Sequence, residues 1–136
     1  MNEVYVVSAK RTPIGKYGKS LRSVKSNDLG ARSIRSAINS SGIAYEAIDE
    51  IIVGNVIQAG NGQNLAGQCA TLAGLPETVT KYTVNLVCAS GMLAVESGSR
   101  EIMLGEKDII VARGSGKHEQ FSISVRFCIL DGELSI

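Results

Sequence analysis

The chain has 136 residues, of which 44% are hydrophobic and 20% charged, so its length suits one domain and its composition is that of a globular rather than a disordered protein. Fourteen Lys and Arg against thirteen Asp and Glu give a formal net charge of +1. Because the sequence also has no basic patch, we expect no nucleic-acid partner. The apolar runs are far shorter than the ~20 residues of a membrane span. The first residues resemble neither a secretory signal nor a transit peptide, which predicts a cytoplasmic location without a membrane partner.

The first half of the chain reads as strand, helix, strand. Glu3–Ala9 is a β-branched run that is apolar on both faces, which is typical of a strand buried in a parallel sheet. After a polar loop, apolar residues recur at helical spacing over about Leu29–Ser41, with Asn27 or Asp28 as the N-cap. Ile51–Val56 predicts a second strand.

The second half continues the alternation. A helix is predicted to end near Gly74, followed by a strand over Val79–Val87 and a helix over about Ala89–Leu104. Asp108–Ala112 predicts a fourth strand, after which the pattern stops, although Phe121–Leu130 is prone to form a strand. Strands that alternate with helices predict the α/β class, with a mostly parallel sheet covered by crossover helices.

Cys88 is the strongest candidate for a nucleophile. It lies between a predicted strand and a predicted helix, and the small side chains of Ala89, Ser90 and Gly91 follow it. The amide groups and the positive dipole end of a helix stabilise a thiolate, and the same amides can hold an oxyanion. On position alone, a cysteine buried as a small hydrophobic residue is an equally good interpretation.

The other cysteines and the histidine are weaker candidates. Cys69 lies inside a predicted helix and Cys128 in the tail, and we expect both to be packing residues. Three widely spaced cysteines without a C-x-x-C pair, together with one histidine, disfavour a disulfide scaffold and a metal site. His118 lies in a polar segment and is expected to be solvated rather than to act as a general base.

Two loops could bind ligands but have simpler interpretations. The segment before the first helix carries a group of cations, which we expect to be solvated rather than to bind a phosphorylated ligand: Lys10, Arg11, Lys16, Lys19, Arg22 and Lys25. No P-loop is present, because the first glycine of that motif is replaced by Pro13 or Val111 in the two possible alignments. A second, glycine-rich segment is expected to form a tight structural loop rather than to admit a ligand or a neighbouring chain: Gly54, Asn55, Gly60, Gly62, Gln63 and Asn64.

Four segments in order resemble the N-terminal part of thiolases, particularly acetyl-CoA acetyltransferases. They read SAKRTPIGKYGKSL, GNVIQAGNGQN, AGLP and VNLVCASGM, the last of which contains Cys88. The resemblance extends over about Glu3–Ala112. It implies the layered thiolase fold, of which residues 1–112 would form part of the N-terminal domain.

The resemblance also implies a chemistry. Cys88 would accept an acyl group from an acyl-CoA, and the complete enzyme would join two acetyl-CoA molecules or cleave a 3-ketoacyl-CoA. The substrate would be a coenzyme A thioester, no cofactor would be tightly bound, no metal would be needed, and the intact protein would be a homodimer or homotetramer. A base and enolate-stabilising groups come largely from G-H-P and C-x-G motifs in the second half of thiolases, and this sequence contains neither motif. We therefore expect no complete turnover from this chain alone.

The sequence departs from the family at a few positions. Lysine is expected where Leu86 stands, and proline and arginine where Leu65 and Gly67 stand. Thiolases also usually continue after the fourth strand with a stretch like GGMESMSNxPY, whereas this chain reads RGSGKHEQFSI. The codons of this stretch, read one base forward, can spell GGVESMSNFPY, which predicts a single-base insertion near codon 113 and a divergent tail over residues 113–136.

Two alternatives remain at this point. One is another condensing enzyme, such as a ketoacyl synthase, which also uses a cysteine at a helix start. The other is a non-catalytic interaction module, in which this half pairs with a separately encoded remainder or caps a related subunit. We also expect apolar helix and strand surface to be exposed in this chain on its own.

Overall fold

The computed structural model describes residues 1–116 and the backbone of residues 126–131. Lys117 and His118 lie outside the described residues, and so does the side chain of Cys128. The described elements are listed here in chain order: β1 (Val4–Ser8), α1 (Ser26–Ser41), β2 (Glu50–Asn55), α2 (Leu65–Ala73), β3 (Thr80–Val84), α3 (Ser90–Met103), β4 (Ile109–Ser115) and β5 (Arg126–Asp131).

The strands form one sheet in the order β1-β5-β4-β2-β3. β2 lies parallel to β3 on one side and to β4 on the other, with Ile51 beside both Lys81 and Val111. β5 pairs antiparallel with β4 and with β1. The predicted α/β class and the parallel arrangement of β2, β3 and β4 are confirmed.

The prediction for the first strand was wrong. β1 is an edge strand of the described sheet, its one described partner is the antiparallel β5, and Tyr5, Val6 and Val7 are all exposed. A run of β-branched residues that is apolar on both faces is typical of burial, but it does not show which neighbouring elements are present to cover it.

β2 and β4 are covered on both faces, and their residues alternate between two cores. Ile51 and Val53 of β2 face α1 and α2, where Ile34 and Cys69 are fully buried. Ile52 points to the opposite face, in the same core as Ala94, Ile102, Ile110 and Ala112, with α3 as the covering helix. This alternation has the two-residue period of a strand and makes β2 fully buried.

Two element boundaries differ from the sequence-based prediction. α1 begins at Ser26 with Lys25 as its N-cap residue, three residues before the predicted start. The side-chain amide of Asn27 instead donates to Gln68 Oε1 at 3.0 Å, linking α1 to α2. β3 ends at Val84, and β4 continues through Ser115, past the predicted end at Ala112.

Glu50 is a carboxylate buried on the α3 side of the sheet. Its side chain is 3% exposed, and Lys107 Nζ lies 3.9 Å from Glu50 Oε2. The neighbouring Tyr82 hydroxyl donates to Glu101 Oε1 of α3 at 2.9 Å. Burial, and then the adjacent Glu101 carboxylate, raises the pKa of Glu50 to about 7, although Lys107 opposes the shift.

The raised pKa of Glu50 predicts a pH-dependent stability. Between about pH 4.5 and pH 7 the folded chain binds more protons than the unfolded chain, so the free energy of unfolding should fall as pH rises through this window. Glu50→Gln should remove most of this fall, about 1–3 kcal/mol, because the amide stays neutral. Denaturant unfolding of the parent and of Glu50→Gln at pH 4.5 and pH 7.5 measures this fall in the free energy of unfolding. Glu77→Gln is the control, because Glu77 is exposed. An unchanged pH dependence in Glu50→Gln would contradict the assignment.

Candidate active site

Cys88 lies in a turn that connects β3 to α3. β3 ends at Val84, α3 begins at Ser90, and Ala89 is the N-cap residue. The Cys88 side chain is exposed. The predicted position at the start of a helix is confirmed, whereas the prediction that a strand leads directly into Cys88 was wrong. Its role as a nucleophile stays a prediction at this stage.

Two polar side chains bind the backbone of this turn. Ser90 is 4% exposed, and its hydroxyl accepts a hydrogen bond from the Leu86 N–H at 2.9 Å and donates one to the Val87 carbonyl at 2.6 Å. Asn85 Oδ1 accepts from the Val87 N–H at 2.9 Å. Backbone bonds add to these, because the Ala89 N–H donates to the Leu86 carbonyl at 3.0 Å.

Val87 has a backbone conformation that is rare for its residue type. Its φ of 48° lies in the left-handed region, which a β-branched side chain disfavours. Such a conformation costs about 1–3 kcal/mol and persists only where the surroundings enforce it. The Val87 side chain is 65% exposed, so its own burial contributes little to holding this conformation.

Glycines bring the first turn of α3 directly onto the sheet. A methyl group at Gly54 of β2 would overlap the carbonyl of Ser90. A methyl group at Gly91 would lie 3.1 Å from Gly114 Cα of β4. The start of α3 therefore lies in backbone contact with the carboxyl-terminal ends of two parallel strands, an edge where α/β sheets commonly bind ligands.

The glycine-rich segment next to this edge is held by its own side chains, in agreement with its interpretation as a structural loop. Gln68 Nε2 of α2 donates to the carbonyls of Asn61 and Gln63, at 2.6 Å and 2.8 Å. Asn64 Nδ2 donates to the Lys81 carbonyl of β3 at 3.0 Å. Gly54 and Asn55 were included in this loop, but both are part of β2.

The other candidate residues are separated in the sequence from the turn that contains Cys88. All six cations of the loop before α1 are exposed, as expected for a solvated loop. One of them, Lys25, lines a cavity of about 420 Å³ together with Asn27, Gly60 and Gln68. Cys69 is fully buried in the core and is a packing residue, as predicted.

Arg113 is a buried cation on β4. It is 1% exposed and lies against Gly30 of α1, and Arg113 Nη1 donates to Cys69 Sγ at 3.7 Å. Burial lowers the pKa of Arg113 from its ordinary value. A long charged side chain therefore occupies the core between α1, α2 and the sheet.

Residues 1–116 contain no group of three His, Cys, Asp or Glu side chains that could hold a metal ion. Across the same described range, no helix is both long and apolar enough to cross a membrane. Leu86 and Val87 are exposed in the turn itself. Apolar side chains are also exposed on a helix and a strand, as expected of this chain on its own: Met92 on α3, and Tyr5 and Val6 on β1.

Sequence reasoning did not identify the residues that hold the turn. Ser90 was noted only as a small neighbour of Cys88, and Asn85 was not considered. The residue types of Ser90 and Asn85 could have indicated this role, because Asn and Ser side chains bind nearby backbone groups in turns and at helix starts. Which backbone groups they bind depends on the path of the turn, which the sequence does not show.

Comparisons with known proteins agree on one family. The family model for the thiolase N-terminal domain matches residues 4–126. The chain is 50% identical over 112 residues to the cytosolic acetyl-CoA acetyltransferase of Gibberella zeae, and 49% identical over 113 residues to an acetyl-CoA acetyltransferase of Syntrophomonas wolfei. These alignments cover 82% and 83% of this chain and 28% of each relative, so the chain spans little more than a quarter of their length.

Comparison with solved structures also matches this chain to a thiolase. The crystal structure of the Acat5 thiolase from Ascaris suum in complex with coenzyme A matches with a TM-score of 0.81 and 42% sequence identity. The match covers 82% of this chain and 29% of that thiolase.

The contact at Gly54 gives a prediction for the site. Gly54→Ala should lower the free energy of unfolding by about 1–3 kcal/mol, because the new methyl group must displace the first turn of α3. Gly67→Ala is the matched control, since Gly67 lies in α2 and its nearest contact is a side-chain atom, Asn64 Nδ2, at 3.3 Å rather than backbone. Thermal unfolding followed by circular dichroism measures both variants. Equal midpoints for Gly54→Ala and the parent would contradict the close contact.

Proposed function

Because this chain belongs to the thiolase family, we propose that it is the nucleophile-bearing part of an acyl-CoA acyltransferase, with Cys88 as the residue that accepts the acyl group. The observation that supports this most directly is the exposed cysteine two residues before a helix that contacts the ends of parallel strands. The relatives named acetyl-CoA acetyltransferases favour this function over that of a ketoacyl synthase.

The first proposed step is thioester exchange. The Cys88 thiolate attacks the carbonyl carbon of an acyl-CoA, and collapse of the tetrahedral intermediate expels the CoA thiolate, which takes up a proton. One carbon–sulfur bond forms as another breaks, so this step needs no redox partner. The positive end of the α3 dipole is suited to stabilising the oxyanion of the intermediate, whereas the Ala89 and Ser90 N–H groups already donate to the Leu86 and Val87 carbonyls.

The second proposed step makes or breaks a carbon–carbon bond. In the biosynthetic direction, a base removes the α-proton of a second acetyl-CoA, and the enolate attacks the acyl group on Cys88 and releases its thiolate. In the degradative direction, CoA takes the acyl group after cleavage of a 3-ketoacyl-CoA. The base and the enolate-stabilising groups lie outside this sequence, which lacks the G-H-P and C-x-G motifs. We therefore expect that the chain by itself completes no catalytic cycle.

The remaining properties follow from the same proposal. The substrate is an acyl-CoA, in keeping with the coenzyme A complex of the similar Ascaris suum thiolase, and no tightly bound cofactor takes part. The complete protein is a homodimer or homotetramer. Its location is cytoplasmic, which the cytosolic relative of Gibberella zeae supports.

Transfer of one acetyl group tests the proposal. Incubation with acetyl-CoA should add a single acetyl group to the folded chain, detected by intact-mass spectrometry and released by hydroxylamine, because thioesters react with this nucleophile. Cys88→Ser should abolish the thioester adduct, whereas Cys69→Ala should retain it, since Cys69 is buried in the core. An adduct that survives Cys88→Ser, or no adduct on a folded parent chain, would contradict the proposal.

We also propose that residues 113–136 arise from a shift of reading frame near codon 113, whereas residues 1–112 are part of the thiolase N-terminal domain. The alignments with two relatives cover 112 and 113 of the 136 residues, which leaves about as many unaligned as the tail contains. The family model extends further, to residue 126. The shifted frame places glycine at position 113, where this chain buries the guanidinium of Arg113.

The burial of Arg113 predicts that a neutral side chain of similar length stabilises the chain. Arg113→Met should raise the free energy of unfolding by about 1–3 kcal/mol, because it removes a desolvated cation from the core. Exposed Arg11→Met should change it by less than about 0.5 kcal/mol. Denaturant unfolding provides the measurement. A loss of stability in Arg113→Met would contradict a foreign residue at this position, and a nucleotide sequence unable to encode GGVESMSNFPY in the shifted frame would exclude the shift itself.

A further inference from the structure

The turn that presents Cys88 combines a disfavoured backbone conformation with an unusual density of side-chain hydrogen bonds. Val87 has a φ of 48°, and its exposed side chain is not held by packing in a core. The Ser90 hydroxyl and Asn85 Oδ1 bind three backbone groups of Leu86 and Val87 between them. Such a conformation persists where surrounding contacts enforce it, and these two side chains supply such contacts.

From this geometry we infer that Ser90 and Asn85 are positioning residues for Cys88, which hold the preceding turn in the left-handed conformation that presents the thiol. This inference rests on the proposed role of Cys88 as the nucleophile. Neither residue is assigned a contact with the reacting atoms. Both act through the backbone of Val87.

The burial and fixation of Ser90 make it an effective anchor. Its side chain is 4% exposed, and its carbonyl lies against Gly54, where the missing side chain lets the first turn of α3 contact β2. Ser90 therefore connects the turn to β2, whose residues are all buried. Its hydroxyl has one proton, and the shorter of its two acceptor distances is to the Val87 carbonyl, at 2.6 Å against 3.4 Å to Asn85 Oδ1.

Asn85 holds the other side of the turn. Its Oδ1 accepts from the Val87 N–H at 2.9 Å, and its Nδ2 donates to the Val56 carbonyl at 3.5 Å. Val56 follows β2 and begins the glycine-rich loop. Asn85 thus links the turn to the segment that follows β2, and its exposure allows its replacement without opening a cavity.

A double-mutant cycle tests whether these side chains act by enforcing the conformation of Val87. The variants are Ser90→Ala, Val87→Gly and the combination of both, because glycine adopts a positive φ without strain. The readout is the rate constant for alkylation of Cys88 by iodoacetamide, followed by peptide mass spectrometry that separates Cys88 from the other cysteines. Ser90→Ala should lower this rate constant at least about fivefold in the Val87 background and less than about twofold with glycine at position 87.

Further variants keep the test decisive if Ser90→Ala lowers the stability of the fold. Asn85→Ala should slow alkylation in the same sense, because it removes the acceptor of the Val87 N–H. Ser99→Ala is the control for loss of a serine from α3, since the Ser99 hydroxyl donates to the Val95 carbonyl at 2.8 Å within the helix. Circular dichroism confirms that the compared proteins are folded.

The outcomes separate this inference from the proposed function. Alkylation of Ser90→Ala and Asn85→Ala at the parent rate would overturn the positioning role, as would a loss that glycine at position 87 fails to relieve. Acetylation by acetyl-CoA is measured on the parent chain alone. If acetyl-CoA labels nothing while the alkylation cycle behaves as expected, the proposed function fails and the positioning role of Ser90 and Asn85 stands.

Discussion

The backbone contact between the first turn of α3 and the parallel strands determines where Cys88 lies. Glycine at positions 54 and 91 removes the side chains that would separate helix from sheet, so the carbonyl of Ser90 lies against β2 and Gly91 lies against Gly114 of β4. The turn before α3 must then reach from the end of β3 to this fixed point in five residues, and Val87 adopts a left-handed conformation within it. Cys88 is exposed in this short connection.

The same sheet contains two buried charged residues whose surroundings differ. Glu50 shares its side of the sheet with Glu101 and Tyr82. The cost of burying its carboxylate is reduced because Lys107 supplies a nearby counter-charge and because the raised pKa favours the protonated form. Arg113 lies on the opposite face and donates to the thiol of Cys69, a weak acceptor compared with a carboxylate. Burial is the main cause of both pKa shifts, raising the pKa of Glu50 and lowering that of Arg113.

Membership of the thiolase family and the geometry of the turn support the same chemistry for independent reasons. The family match rests on the identity of residues along most of the chain. The geometry rests on an exposed cysteine at the start of a helix, a position that suits thiolate and oxyanion alike. The chain spans about 28% of the length of these relatives.

The sequence by itself determined the α/β class, the three parallel strands, the burial of Cys69 and the position of Cys88 at a helix start, because hydrophobic periodicity and glycine placement are local signals. It did not show that β1 is an exposed edge strand, since burial depends on neighbours that are distant in the sequence. It also did not show that Ser90 and Asn85 bind the turn, or that Gly54 admits α3 to the sheet. Only the tertiary structure decided these features, because each depends on how two separate elements approach one another.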